Sequence, residues 1–164
     1  MKELLKKINI NKVLKYLLFI FLTLMLQNMV LSHIHPVGVC PLVLPAAAAA
    51  VGMFEGAIWG PVISLVMGYF ADMAFVENTI FFAVLLPVLA LASAFVSQFF
   101  INRRFFAFMG IAFLELLVTA VLQMLKTLAA DAWSTDMITV TALQTIWSLP
   151  PAALVYLPPA RWIK

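Results

Sequence analysis

The chain has 164 residues, of which 65% are hydrophobic and only 10% are charged, and its mean hydropathy is +1.10. Soluble domains carry about 45–50% apolar and about 25% charged residues, so this chain has too few charges to cover a surface that faces water. Its single cysteine, Cys40, cannot form a disulfide within the chain. The composition predicts one integral membrane domain, 1–164, and excludes chemistry that requires a folded aqueous domain.

The first predicted span, 16–34, follows a basic segment, 1–15, which contains Lys2, Lys6, Lys7, Lys12 and Lys15. About 20 apolar residues cross the roughly 30 Å of hydrocarbon in a bilayer, and this span has that length. A basic segment before an apolar run is also typical of a signal peptide, but no clear Ala-x-Ala cleavage site follows the run. We therefore interpret the run as a membrane span and the basic segment as a cytoplasmic N-terminus.

The second and third predicted spans, 37–54 and 57–76, are separated only by Glu55 and Gly56. Two full crossings and a single re-entrant hairpin have similar hydropathy here. The basic residues favour two crossings, because six spans in total place the N-terminal lysines and Arg103 and Arg104 together on the cytoplasmic side, as the positive-inside rule predicts.

Three more spans, 79–101, 105–129 and 138–160, complete the chain, and Arg161 and Lys164 follow the last of them. With six crossings this basic tail also lies in the cytoplasm. The predicted fold is therefore an all-α bundle of six transmembrane helices with both termini in the cytoplasm.

Small residues recur every four positions along the span 57–76. Gly60, Ser64 and Gly68 share one face of a helix with this spacing and lead to Asp72. Small residues at such positions allow a second helix to approach closely, so we interpret this face as a helix-packing surface. Asp72 is a charged residue inside a predicted span, which makes it a candidate for an interaction with a partner or a ligand.

A polar stripe runs along the span 105–129 from its middle to its outer end. Glu115, Thr119, Gln123 and Lys126 lie on one helix face, and Gln144 lies on a similar polar face of the last span. Such side chains most often hold a membrane bundle together by hydrogen bonds. A ligand cavity that opens outward and a docking face for another membrane helix are the two functional alternatives.

Glu115 requires the strongest explanation, because a charge at the centre of a membrane helix costs at least about 2.5–3.5 kcal/mol on insertion scales. Either it pairs with a cation, such as Lys126 through Gln123, or with a partner chain, or its carboxyl stays protonated. Glu115, Thr119, Gln123, Gln144 and Asp72 are therefore the candidate interaction residues.

The sequence gives no support for catalysis, for a cofactor or for nucleic-acid binding. It has no phosphate-binding glycine loop, no dinucleotide-binding glycine pattern and no nucleophile with a matching histidine and acid. His33 and His35 provide two potential metal ligands, which is fewer than a structural or catalytic zinc site uses. We expect a protein that is not an enzyme and that binds no metal or cofactor.

With these motifs in their order, the chain resembles the rod shape-determining protein MreD family of bacteria. The most specific stretch is GPVISLVMGYFAD, 60–72, and the family also shows a basic stretch like INRRFF, 101–106, and a central glutamate like that in FLELL, 113–117. A last span such as WSLPPAALVYL, 147–157, before a short basic tail completes the resemblance.

This resemblance implies a non-enzymatic scaffold subunit of the cell-elongation machinery in the bacterial cytoplasmic membrane. Such a subunit is expected to bind the bitopic protein MreC and, directly or through it, MreB filaments and wall synthases. The family is also similar in fold to the six-helix substrate-binding subunits of energy-coupling-factor vitamin transporters. That similarity gives the alternative function, in which the outer polar residues bind a vitamin.

Overall fold

The computed structural model describes residues 10–34, 38–74, 80–99, 105–129 and 136–162, and these residues contain helices and connecting segments but no strand. The described α-helices are α1 (Ile10–Met25), α2 (Leu44–Ala74), α3 (Phe81–Phe99), α4 (Phe105–Ala129) and α5 (Asp136–Trp162). A π-helical turn, Leu26–Leu31, continues α1 without a break.

Among the described residues, five helices are long and apolar enough to cross a membrane, as expected of a multi-pass membrane protein. The predicted span 105–129 coincides with α4, and the spans 79–101 and 138–160 differ from α3 and α5 by two residues at each end. The predicted spans 37–54 and 57–76 both fall within α2, so six separate crossings stay a prediction.

Helix α2 changes direction at Gly56. This residue has a φ of 79°, in the left-handed region that favours glycine. A Cβ placed on Gly60 would lie 2.9 Å from the Cα of Gly52, whereas residues eight apart in a straight helix are about 12 Å apart. The chain therefore folds back at Gly56, and α2 consists of two antiparallel legs, a first leg (44–55) and a second leg (57–74).

The first leg of α2 is the centre of the bundle. The residues of its alanine run, 46–50, are all 0% exposed, although a membrane helix at the edge of a bundle exposes one side to lipid. Alanine side chains allow neighbouring helices to approach this leg closely from every direction. The other helices surround the leg and expose large apolar side chains outward, as the lipid-facing side of a membrane bundle requires.

The outer part of the predicted span 37–54 differs from the expected helix. Residues 39–43 are not α-helical, and the helix begins at Leu44. Two prolines explain this start, because Pro41 disfavours a helical conformation in the residue before it, whereas Pro45 occupies the first helical turn, where proline is well tolerated. The first leg is therefore about 18 Å long and is shorter than the roughly 30 Å hydrocarbon core.

Candidate functional site

The non-helical segment 39–43 is mostly buried, and two side chains form hydrogen bonds with its backbone. The amide of Gln27 donates to the carbonyl oxygen of Pro41 at 3.0 Å, and its carbonyl oxygen accepts from the backbone N–H of Val43 at 2.8 Å. Gln27 is buried and lies in the π-helical turn that follows α1. Unpaired backbone groups are costly in a membrane, so Gln27 makes the irregular segment possible at this depth.

Helix α5 supplies a second support for the same segment. The hydroxyl of Ser148 accepts from the backbone N–H of Leu42 at 2.8 Å and donates to the carbonyl oxygen of Gln144 at 2.6 Å. Ser148 is fully buried. The irregular segment is thus held between the π-helical turn on one side and α5 on the other.

The turn between the two legs of α2 is fixed to the start of α1 by Glu55. One carboxylate oxygen of Glu55 accepts from the hydroxyl of Tyr16 at 2.5 Å, and the other lies 2.5 Å from the Nζ of Lys12. The side chain of Glu55 is only 3% exposed. From the sequence alone Glu55 is only a break between spans, because its two partners lie about forty residues earlier in the chain.

Asp72 binds the beginning of the next helix. Its Oδ1 accepts from the backbone N–H of Phe82 at 2.9 Å, and its Oδ2 accepts from that of Ala83 at 2.7 Å. The first N–H groups of a helix have no partner within the helix, and a carboxylate there is also favoured by the helix dipole. Both oxygens of this candidate residue are therefore engaged in joining α2 to α3.

The predicted packing face on the second leg of α2 lies at close helix contacts. A Cβ on Gly60 would collide with the first leg, as described above, and a Cβ on Gly68 would lie 2.4 Å from the carbonyl oxygen of Phe82. Ser64 is fully buried between these glycines along the same helix face. The four-residue spacing corresponds to contacts within the chain.

Glu115 lies inside the bundle and has no hydrogen-bond partner. Its side chain is 5% exposed, and among the described residues neither carboxylate oxygen has a partner. The pairing with Lys126 through Gln123 is therefore not present. Thr119, one turn further along α4, is 0% exposed and donates to the backbone carbonyl of Glu115 at 2.8 Å. Another protein's helix would have to enter the bundle to reach either side chain.

The outer part of the polar stripe is less buried and joins α4 to α5. The amide of Gln144 donates to the side-chain oxygen of Gln123 at 3.4 Å, and both residues are half-buried. On α5, Thr145 donates to the backbone carbonyl of Thr141, one turn earlier. Most hydroxyls of the stripe thus satisfy the backbone of their own helix.

Several predictions fall outside the part of the chain that the structure describes. His35, Arg103, Arg104 and Lys164 belong to these residues, as do the N-terminal lysines up to Lys7. Two predictions depend on them, namely that the histidines form no metal site and that the basic segments lie in the cytoplasm. Both predictions are based on the sequence alone.

Comparison with models of protein families, with curated proteins and with solved structures gives no match.

Proposed function

We propose that this chain is a non-enzymatic scaffold of the MreD type in the bacterial cytoplasmic membrane. In this function it binds an MreC-like bitopic protein and, directly or through that protein, acts on MreB filaments and on the synthases of lateral wall growth. The family assignment is supported by the sequence resemblance, above all by the stretch 60–72.

The use of the polar side chains is the observation that favours a scaffold over a ligand-binding protein. Gln27, Ser148 and Asp72 satisfy backbone groups of the chain, and Thr119 and Thr145 donate to their own helices. A ligand site requires convergent polar groups that are available to the ligand. In this bundle these groups already form hydrogen bonds with the backbone of the chain.

A scaffold of this kind meets its partner through its lipid-facing surface. Large apolar side chains cover the outside of every described helix, for example Leu17 on α1, Phe106 on α4 and Leu154 on α5. A transmembrane helix of a bitopic protein packs against such a surface by van der Waals contacts. We therefore expect the partner to contact this outer surface and not Glu115 or Thr119, which lie in the interior of the bundle.

Photo-crosslinking in living cells tests this function. A photoreactive phenylalanine analogue is placed, one position at a time, at lipid-facing sites on each helix, including Leu17, Phe106 and Leu154. Phe108, which is 0% exposed, provides the buried control on the same helix as Phe106. We expect one helix face to crosslink to an MreC-like bitopic protein and the control position to give no intermolecular product. The absence of such a protein from the products of every helix face would contradict the proposal.

A substrate-binding subunit of an energy-coupling-factor transporter is the second candidate. The half-buried amides of Gln123 and Gln144 face each other in the outer part of the bundle, at the long distance of 3.4 Å, and are therefore available to rearrange around a small molecule. This function predicts a vitamin that stays bound during purification and is released by Q123A or Q144A. Purified protein that carries no stoichiometric small molecule would exclude this candidate.

A further inference from the structure

The described residues contain very few buried side-chain polar atoms without a hydrogen bond. They are the hydroxyl of Ser64 and the two carboxylate oxygens of Glu115. Buried polar groups in native proteins nearly always have a partner, so a buried carboxyl with two unbonded oxygens requires a specific explanation. Glu115 is the more demanding of the two residues, because an ionised carboxylate in this position would be an unpaired charge in a membrane interior.

The depth of Glu115 follows from two contacts between helices. Tyr156 on α5 packs against Phe108 on α4, with ring centroids 5.1 Å apart, and against Phe54 on α2 at 5.5 Å. Glu115 lies seven residues beyond Phe108, or about 10 Å along the helix. The first leg of α2 runs antiparallel to α4, and Ala47 lies seven residues before Phe54 on this leg. Glu115 therefore lies level with the buried alanine run 46–50.

No other charged group lies at this depth on α4 or on the helices that pack against it. Apart from Glu115, the charged residues of α2, α4 and α5 are Glu55, Asp72, Lys126, Asp136 and Arg161. One tyrosine, Tyr156, packs on α4. Helix α3 carries no charged residue. The charged members of this set lie near helix ends or at the turn of α2, and Tyr156 lies about 10 Å below Glu115.

Among the described residues no side chain neutralises Glu115 at this depth, which leaves a group taken up from solution. A metal ion would require several oxygen ligands, and the described residues contain no group of three His, Cys, Asp or Glu side chains that could hold one. A proton requires only the carboxyl oxygen itself. Thr119 and the half-buried Gln123 continue from Glu115 along the same face of α4 toward the end of the helix.

We propose that Glu115 is a reversible proton-binding site in the interior of the bundle, which exchanges its proton with the outer aqueous phase along the face of α4 that carries Thr119 and Gln123. This site does not depend on the proposed scaffold function. A bound proton makes the interior electrically neutral at this depth, whereas its loss leaves a charge beside the alanine run.

Labelling with dicyclohexylcarbodiimide tests the site in the full chain in its native membrane. This lipid-soluble reagent adds across a protonated carboxyl to give an O-acylisourea, which rearranges to a stable N-acylurea without loss of any atom. Mass spectrometry of peptides locates the adduct. Glu55 is an internal control, because its carboxylate is held by Tyr16 and Lys12 and is expected to stay unlabelled.

We expect an adduct on Glu115 whose yield falls as the pH is raised and does not change when sodium chloride replaces choline chloride at constant pH. The variant E115Q should lose the adduct. The test does not depend on the folding of this variant, since the adduct is assigned to a peptide of the wild-type chain. The proposal is overturned if Glu115 gives no adduct at any pH, gives the same yield at every pH, or is protected by sodium.

Discussion

At the scale of single residues, the amide of Gln27 replaces two hydrogen bonds that a regular helix would provide. The segment 39–43 interrupts helical structure inside the bundle, so the carbonyl of Pro41 and the N–H of Val43 have no helical partners. Gln27 satisfies both from the neighbouring π-helical turn. Turns of this type often occur at functional positions, and this one places a single side chain opposite the irregular segment.

The variant Gln27→Ala is therefore expected to destabilise the protein strongly. Each backbone group left buried without a partner costs about 1–3 kcal/mol, and the variant leaves two of them. Thermal unfolding in mild detergent, followed by the loss of the monodisperse peak in size-exclusion chromatography, measures the effect. Asn28→Ala, one residue further along the same turn, is the matched control, and equal stability of the two variants would contradict the assigned role.

Glu55 has a comparable role at the opposite end of α1. Its carboxylate is nearly buried and holds both Tyr16 and Lys12, so it attaches α1 to the turn between the legs of α2. Hydrogen bonds to a charged group contribute more than those between neutral groups. The contact at Glu55 and the contact at Gln27 together fix the two ends of α1.

Removing one hydroxyl tests this attachment with little change in volume. Tyr16→Phe is expected to lower the free energy of unfolding by about 1.5–3 kcal/mol, the usual range for a hydrogen bond to a charged group. Tyr69→Phe, at an exposed tyrosine on the second leg of α2, is the control. The same denaturation assay on both variants decides the point, and a Tyr16→Phe protein as stable as the control would show that the contact contributes nothing.

At the scale of elements, hydropathy predicts the helices well and the backbone between them poorly. The helix α4 has the predicted bounds because a long apolar run with few breaks leaves a membrane segment no alternative to a helix. Hydropathy does not distinguish an apolar helix from an apolar extended segment, so the start of the second span at Leu44 was not predictable from it. The partners of Gln27 and Glu55 are distant in sequence and leave no local pattern.

The close contacts of α2 lead to a prediction about its glycines. A Cβ on Gly52 would lie 2.1 Å from the hydroxyl oxygen of Ser93 and 2.2 Å from the carbonyl oxygen of Ala90, which belongs to the backbone of α3. Gly52→Ala is therefore expected to destabilise the bundle by about 1–3 kcal/mol, the usual effect of overpacking.

Gly110→Ala is the matched control for this substitution. Gly110 lies in the exposed part of α4, and a Cβ there would meet nothing within 4 Å. Alanine is the better helix former by about 1 kcal/mol, so this variant should be neutral or stabilised. Equal stability of the two variants in thermal unfolding would contradict the tight contact between α2 and α3.

At the scale of the whole molecule, the reversal at Gly56 determines the orientation of every helix that follows. If the two legs of α2 both traverse the membrane, a cytoplasmic N-terminus places Ile80 and Asp136 at the outer surface. If α2 instead continued straight through Gly56 and crossed the membrane once, both residues would lie at the cytoplasmic surface. The six spans predicted from the sequence require the first arrangement.

Cysteine accessibility separates the two arrangements. The variants Ile80→Cys and Asp136→Cys, each in a Cys40→Ala background, are treated in intact cells with a maleimide that does not cross membranes. We expect both to be labelled, whereas Asn11→Cys, near the N-terminus, should react only after permeabilisation. Protection of positions 80 and 136 in intact cells would contradict the reversal at Gly56 and would indicate that α2 crosses the membrane once.

The most direct test of the scaffold proposal is affinity purification of the tagged chain from its native membrane in mild detergent, with mass spectrometry of co-purifying proteins and extractable small molecules. We expect an MreC-like bitopic protein together with wall-synthesis proteins and no stoichiometric small molecule. A stoichiometric vitamin, recovered together with an ATP-driven coupling module, would contradict it and would make the amides of Gln123 and Gln144 a ligand site.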